Sequence, residues 1–187
     1  MRFKLAEVQL RMNQRNSALD SLSLSEELMQ SLIQTGTGDP QFQYELARIA
    51  LTRGKILSAD RDDDAAEKEW MRALEIVTTL LRNDGENVDA RLSRARLNRE
   101  LGALAVRRQA WMAALASLDP ARDDLDKLLA EFPGDAEFLR EQIATQQSLA
   151  DVRSQMGQGE QAAEIEERVR KLHAELESVE RPATEAP

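Results

Sequence analysis

The feature that most constrains what this protein can fold into is an internal repeat with a period of 48 residues. Several positions keep the size of their side chain over three steps of that period, with no insertion or deletion. Two of them are small in every repeat: Ala18, Ala66, Ala114 and Ala162 form one, and Ala6, Gly54, Gly102 and Ala150 form the other. Self-similarity at a fixed period indicates stacked structural repeats that contact their neighbours.

Three further positions of the repeat indicate packing and turns. One holds Ser25, Ala73, Ala121 and Val169, one holds Leu32, Leu80, Leu128 and Leu176, and one, between repeats, holds Asp39, Asn87 and Asp135. A short polar side chain at the last position can cap the helix that follows it.

Each repeat is predicted to contain two helices. Apolar residues recur at three- and four-residue steps, and turn-forming runs such as TGTGDP (35–40) separate the apolar segments. The first helix is predicted over 41–58, 88–108 and 136–156, with about 12 residues of it in the first repeat, and the second over 16–34, 63–82, 109–131 and 158–178. Aromatics at 4%, 8 glycines and 5 prolines also favour long helices over a sheet.

This pattern resembles the tetratricopeptide repeat in a long-helix form. The family motif has a small residue in the first helix and two small residues around a large one in the second. The matching residues are Gly54, Ala66, Trp70 and Ala73 in one repeat and Gly102, Ala114, Leu118 and Ala121 in the next, with Ala150 and Ala162 in the last. There the motif departs at Glu166 and Val169, although MGQGEQAAEI (156–165) matches the usual turn.

We therefore predict an all-α fold, a right-handed α-solenoid of about seven or eight antiparallel helices. A single domain is expected over 1–180, with repeats at about 1–39, 40–87, 88–135 and 136–180. The tail over 181–187 carries two prolines and no apolar periodicity, so we expect it to leave the last helix near Glu180 and to be disordered.

The sequence lacks most of the residues on which enzyme chemistry depends. There is no cysteine, and the one histidine, His173, falls in the repeat position of Met29, Val77 and Leu125. A catalytic or metal role needs partner side chains, so His173 is interpreted as an ordinary residue near a helix end. We predict a protein that is not an enzyme and takes no metal or cofactor.

Three short runs match ligand-binding motifs only in part. RDDDAAE (61–67) lacks the alternating ligands and central glycine of a calcium loop, and is interpreted as an acidic helix start. GTGD (36–39) and GQGE (157–160) lack the spacing of a phosphate loop and are interpreted as turns.

Two residues in the second helix of the third repeat stand out. Trp111 is expected to pack near the inter-helix turn, the alternative being an exposed contact residue. Pro120, preceded by Asp119, removes a backbone donor within the helix, so we expect the helix to kink or restart there.

Charge and hydropathy restrict the partners. The net charge of −9 opposes binding to nucleic acid or anionic lipid. No apolar run approaches the ~20 residues of a transmembrane helix. The absence of cysteine slightly favours a cytoplasmic location. The opening MRFKLAEVQL enters a helical pattern without a capping residue, so we expect this segment to begin inside a larger protein.

Arginine is concentrated in one segment. Residues 89–108 hold six arginines against two acids: Arg91, Arg94, Arg96, Arg99, Arg107 and Arg108. Two interpretations stay open. The arginines pair with acids of neighbouring helices, or they form a basic patch on the groove that the first helices line.

The tetratricopeptide resemblance implies a concave groove lined by the first helices. It places the following residues there: Arg48, Leu51, Lys55, Arg96, Arg99, Ala103, Gln147 and Asp151. Arginine binds carboxylates through two parallel hydrogen bonds, so a basic strip would suit an acidic peptide or the C-terminus of a partner protein. The carboxylate-clamp members of the family have a lysine where Leu51 stands, so the expected preference for acidic segments is weaker and salt-sensitive.

The function predicted on this basis is a non-catalytic interaction module that binds a peptide or partner domain in its concave groove. Long repeats of this kind occur in large bacterial signalling and regulatory proteins, and the resemblance implies such a setting. The alternative is a structural domain that assembles subunits, including a homo-oligomer.

Overall fold

A computed structural model describes residues 2–36 and 39–181, and no strand occurs among them. This part of the protein forms eight helices: α1 (Arg2–Arg11), α2 (Arg15–Gln34), α3 (Pro40–Ala59), α4 (Asp63–Asn83), α5 (Val88–Arg107), α6 (Trp111–Glu131), α7 (Ala136–Gln155) and α8 (Gly159–Glu180). The predicted all-α class is confirmed, and the predicted helix bounds agree with these to within two residues.

The chain divides into two compact bodies, and their boundary between Ser93 and Arg94 falls inside α5. In the N-terminal body, α1 packs on α2, α2 on α3 and α3 on α4; in the C-terminal body, α6 packs on α7 and α7 on α8. Consecutive helices therefore pack on one another within each body. The helix α8 ends at Glu180 as predicted, while the rest of the predicted tail, 182–187, lies outside the described residues.

Short polar side chains begin the first helix of three repeats, as the sequence predicts. The carboxylate of Asp39 accepts a hydrogen bond from the backbone N–H of Gln41 at 2.8 Å, and the amide oxygen of Asn87 accepts one from Ala90 at 2.9 Å. The carboxylate of Asp135 accepts two, at 2.9 and 3.0 Å. Each cap satisfies helix donors that would otherwise lack a partner, so the turns fix where the helices start.

The acidic run over 61–67 forms the start of α4. Asp62 caps the helix by accepting from the backbone N–H of Ala65 at 3.2 Å, and Asp63 and Asp64 occupy the first turn, where carboxylates complement the helix dipole.

The small positions of the repeat bring helices into close contact. A Cβ atom added to Gly54 of α3 would lie 2.3 Å from Nε1 of Trp70 in α4. One added to Gly102 of α5 would lie 2.6 Å from Cγ of Leu118 in α6. All ten residues matched to the repeat motif from the sequence are buried: Gly54, Ala66, Trp70, Ala73, Gly102, Ala114, Leu118, Ala121, Ala150 and Ala162.

Three single residues were open questions in the sequence. Trp111 is partly buried and packs against the cluster around Leu115 and Leu118, so it is a packing residue. The helix does not restart at Pro120, because α6 runs through it without a break. Its neighbours Leu118 and Ala121 are fully buried, and we infer that their packing holds the helical backbone across the proline.

His173 is exposed on α8.

The contact between Gly54 and Trp70 makes a direct prediction. Gly54→Ala should lower the free energy of unfolding by about 1–3 kcal/mol, because overpacking against a rigid buried indole outweighs the better helix propensity of alanine. Urea denaturation followed by circular dichroism measures this. Gly159→Ala is the matched control: nothing lies within 4 Å of that Cβ, so its stability should be unchanged or raised. Equal stability of Gly54→Ala and the parent would contradict the close contact.

Candidate functional site

The predicted groove residues of the N-terminal body lie along α3, and Arg48 is the most constrained of them. Its guanidinium carbon lies 4.4 Å from the ring centroid of Phe3 in α1 and 5.9 Å from that of Tyr44. Its Nη1 atom donates to Glu45 at 3.0 Å. Arg48 is thus held by two aromatic rings and a carboxylate, with about a third of its side chain exposed (34%).

The two other groove residues of α3 differ from each other. The side chain of Leu51 is buried, and its backbone carbonyl accepts a hydrogen bond from Nε1 of Trp70 at 3.3 Å. Lys55 is exposed. Leu51 therefore belongs to the contact between α3 and α4 and offers little side chain to a ligand.

A cleft of about 280 Å³ opens beside Arg48 between α1, α2 and α3. Its apolar lining comes from Phe3, Leu28, Met29, Phe42 and Ile49, and its polar lining from Lys4, Ser25, Gln41, Glu45 and Arg48. Sequence reasoning missed this cleft, because it depends on where the ends of three helices meet. The sequence offered one signal, because Leu28 is an apolar residue that does not fall at a packing position of the repeat. In the structure its side chain is 51% exposed.

In the C-terminal body, the predicted groove arginines are paired with acids. Arg96 donates from Nη2 to Glu137 at 2.6 Å and from Nε to Glu141 at 2.7 Å. Arg99 lies 3.3 Å from Glu141 and donates to Glu100 at 3.2 Å. This cluster, the α5–α7 ion-pair network, joins two first helices.

The electrostatics of the α5–α7 network follow from its composition. Burial alone would lower the pKa of the Arg96 guanidinium, but the hydrogen bonds and charges of Glu137 and Glu141 outweigh it, so that pKa is raised. Arg96 and Arg99 contact three carboxylates, those of Glu100, Glu137 and Glu141. An acidic ligand at this place would have to compete with the protein's own carboxylates.

Two other arginines of the cationic segment are also held by acids of this protein. Arg94 makes a two-pronged hydrogen bond to Asp124 of α6 at 2.6 and 2.7 Å, and the Asp124 side chain is 4% exposed. Arg91 is paired with Glu86 at 2.8 Å. Of the two interpretations of the arginine-rich segment, these contacts favour pairing with neighbouring acids.

The remaining groove positions lie on α5 and α7. Gln147 and Asp151 are exposed on α7, one helical turn apart, and Ala103 on α5 is partly buried. Arg48 and Lys55 lie in the N-terminal body, and Arg96 and Arg99 lie in the C-terminal body.

A second ion-pair network, centred on Glu26 of α2, stabilises the N-terminal body. Glu26 accepts from Arg53 of α3 at 2.7 Å and from Arg72 of α4 at 2.6 Å, and its side chain is 15% exposed. Burial would raise the pKa of the Glu26 carboxyl, but the two arginines outweigh that effect and lower it below its usual 4.5.

No group of three histidine, cysteine or acidic residues with metal-binding geometry occurs within residues 2–36 and 39–181. Among the helices of that part of the protein, none combines the length and apolar character that a bilayer span requires. The sequence matches no protein-family model and no curated protein sequence. The site must therefore be interpreted from its geometry alone.

The α5–α7 network makes a prediction about charge reversal. The double variant Arg96→Glu/Arg99→Glu should destabilise the protein by about 2 kcal/mol. It places five carboxylates together, where the parent has two guanidinium groups and three carboxylates. Arg96→Gln with Arg99→Gln removes the attraction without adding repulsion and should cost about 1 kcal/mol. Urea denaturation at low and high salt measures both. The difference in the free energy of unfolding between the two variants should narrow as the salt concentration rises. A difference that salt leaves unchanged would contradict its electrostatic origin.

The lowered pKa of Glu26 makes a prediction about pH. A carboxyl whose pKa is lower in the folded than in the unfolded state stabilises above pH 4.5, and this contribution is lost as the pH falls through the folded-state pKa. Glu26→Gln should therefore be less stable than the parent by about 1 kcal/mol at pH 7, with the difference shrinking below pH 4.5. Glu75→Gln, on an exposed residue of α4, is the control. A deficit that is the same at pH 7 and at acidic pH would contradict the ion-pair account.

Proposed function

We propose that this protein is a non-catalytic interaction module that binds a segment of another protein. We also propose that its helices form a right-handed solenoid of the tetratricopeptide type and serve a larger bacterial signalling or regulatory protein. The observation that carries the proposal is the close approach of helices at Gly54–Trp70 and Gly102–Leu118. These contacts lie at the positions that define the motif of that interaction family.

The geometry favours the cleft of the N-terminal body as the place where a ligand binds. It combines an apolar floor with a small number of charged groups at its edge, which is the usual composition of a binding site. Arg48, the first of the predicted groove residues, lies on this edge and is held in place by the rings of Phe3 and Tyr44. A side chain fixed in this way loses little conformational entropy when it binds a partner.

The lining of the cleft indicates the chemistry of the ligand. Leu28, Met29 and Phe42 offer apolar contact, and Lys4 and Arg48 offer two cations against the single carboxylate of Glu45. A segment with a large apolar side chain next to a carboxylate matches both features. We therefore expect acidic segments to bind in the cleft beside Arg48. We do not expect them at the α5–α7 network, because internal carboxylates compensate the arginines there.

Peptide selection tests this function. A random peptide library displayed on phage is selected on the purified protein, and the affinities of the recovered peptides are measured by calorimetry. Leu28→Asp should weaken them at least tenfold, because it puts a carboxylate into the apolar floor. Arg48→Gln should weaken acidic peptides more than their amidated forms. Met112→Asp and Arg82→Gln, on exposed residues outside the cleft, are the controls and should bind as the parent does.

Two outcomes would contradict the proposal. If the library yields no peptide that binds the folded protein, the interaction function fails. If the recovered peptides bind Leu28→Asp and Arg48→Gln as tightly as the parent, the cleft is not the site.

A further inference from the structure

The guanidinium group of Arg48 is only partly used by the protein itself. Its Nη1 atom donates to both carboxylate oxygens of Glu45, at 3.0 and 3.3 Å. Among the side chains that the structure describes, none accepts a hydrogen bond from Nε or Nη2 of Arg48. An arginine binds a carboxylate best through two parallel N–H groups, and Nε and Nη2 provide such a pair. One edge of this guanidinium is therefore open to a ligand.

The repeat shows which groups use that edge elsewhere. Arg96 stands one period after Arg48, and its Nε and Nη2 atoms donate to two glutamates of α7, at 2.7 and 2.6 Å. One period before those glutamates stand Ser93 and Asp89 of α5, and neither is bonded to Arg48. At Arg96 one guanidinium holds two carboxylates of the protein. At Arg48 it holds only one, so a ligand carboxylate can be the second.

Glu45 is a fixed part of this arrangement. Its Oε1 atom accepts a hydrogen bond from Arg48 and another from Nε2 of Gln41, at 3.0 and 3.2 Å. The three residues lie four and three positions apart, hence on one stripe of α3, and all of them line the cleft. Glu45 would have to give up two hydrogen bonds to move away from a ligand. We therefore expect it to stay beside Arg48 when the cleft is occupied.

Arg48 is positioned by more than its carboxylate partner. Its guanidinium carbon lies 4.4 Å from the ring centroid of Phe3, and that ring belongs to the N-terminal core and is 9% exposed. A cation held over an aromatic ring in this way is stabilised by the ring itself. This contact remains when Glu45 is replaced, so a substitution of Glu45 changes the charge of the cleft more than its geometry.

The charges that line the cleft restrict the charge of its ligand. Lys4 and Arg48 are positive and Glu45 is negative, so the lining has one positive charge in excess. A single carboxylate balances that excess. A dianion at the same edge of Arg48 exceeds it, and its second charge is repelled by Glu45 across the guanidinium group. The net charge of −9 on the whole chain adds to the repulsion.

We propose that the cleft selects a segment with one carboxylate at the Nε–Nη2 edge of Arg48, and that Glu45 excludes dianions such as phosphoserine from the same place. This inference rests on the proposed peptide-binding function and names the ligand more narrowly. Specificity of this kind comes from a repulsive group placed beside an attractive one. The pair of Glu45 and Arg48 thus sets the preference of the site in addition to joining two turns of α3.

One recovered peptide in three forms tests this selection. The peptide is chosen because its binding depends on a carboxylate, and that residue is made Asp, Asn or phosphoserine, whose phosphate carries up to two negative charges at pH 7. The parent should bind the Asp form at least tenfold more tightly than the Asn form, and the phosphoserine form no more tightly than the Asp form. Glu45→Gln keeps the size of the side chain and removes its charge. It should raise the affinity for phosphoserine relative to Asp at least tenfold.

The control is Glu75→Gln, on an exposed residue of α4 outside the cleft. It changes the net charge of the protein by the same amount and should keep the parent's ratio of the two affinities. The effect of Glu45→Gln should also weaken as the salt concentration rises. Calorimetry measures the affinities, and circular dichroism establishes that each variant is folded.

The outcomes separate this inference from the function on which it rests. If no peptide binds the folded protein, the interaction function itself fails. If peptides bind and Leu28→Asp weakens them, the cleft is the site. In that case the role of Glu45 is overturned by a phosphoserine-to-Asp ratio that Glu45→Gln leaves unchanged, by a parent that binds the phosphoserine form at least tenfold more tightly, or by recovered peptides none of which depends on a carboxylate.

Discussion

The fold depends on the close approach of paired helices at the small positions of the repeat. At Gly54 the indole of Trp70 occupies the space where any side chain would begin, and at Gly102 the side chain of Leu118 does the same. A glycine is required at these two places because the partner is large and buried, while the other repeats accommodate alanine there, at Ala6 and Ala150. The indole also donates to the carbonyl of Leu51, so the residue that fills the hollow satisfies its own polar atom.

Charge in this protein is used mainly to hold helices together. Glu26 joins α2 to α3 and α4, and Asp124 is bound by Arg94 from the neighbouring helix. The side chain of Gln142, fully buried on α7, donates to Asp126, which also accepts from Arg168 of α8. Buried polar groups of this kind cost stability when one partner is lost, but they restrict which helix faces fit together. The excess of arginine over 89–108 is therefore poor evidence for an anionic ligand.

The helices, their order and their caps were predictable from the sequence because they depend on local periodicity and on short-range rules. Asp39, Asn87 and Asp135 cap as predicted, since a cap needs only the residues of its own turn. The groove residues were harder to predict, because their surroundings come from other helices: Arg96 meets acids of α7, and the backbone carbonyl of Leu51 accepts a hydrogen bond from Trp70 of α4. The continuity of α6 through Pro120 was hard to predict for the same reason, since the burial of Leu118 and Ala121 is not a local property.

Equal positions in the repeat do not imply equal chemistry, and this limits what the period alone can predict. Leu5, Arg53, Leu101 and Leu149 occupy one position. Leu149 packs in an apolar cluster with Leu118 of α6, whereas Arg53 reaches Glu26 of α2, so the same contact with a preceding second helix is apolar in one repeat and ionic in another. Such contacts make the repeats non-interchangeable, because each first helix fits only a second helix of matching chemistry.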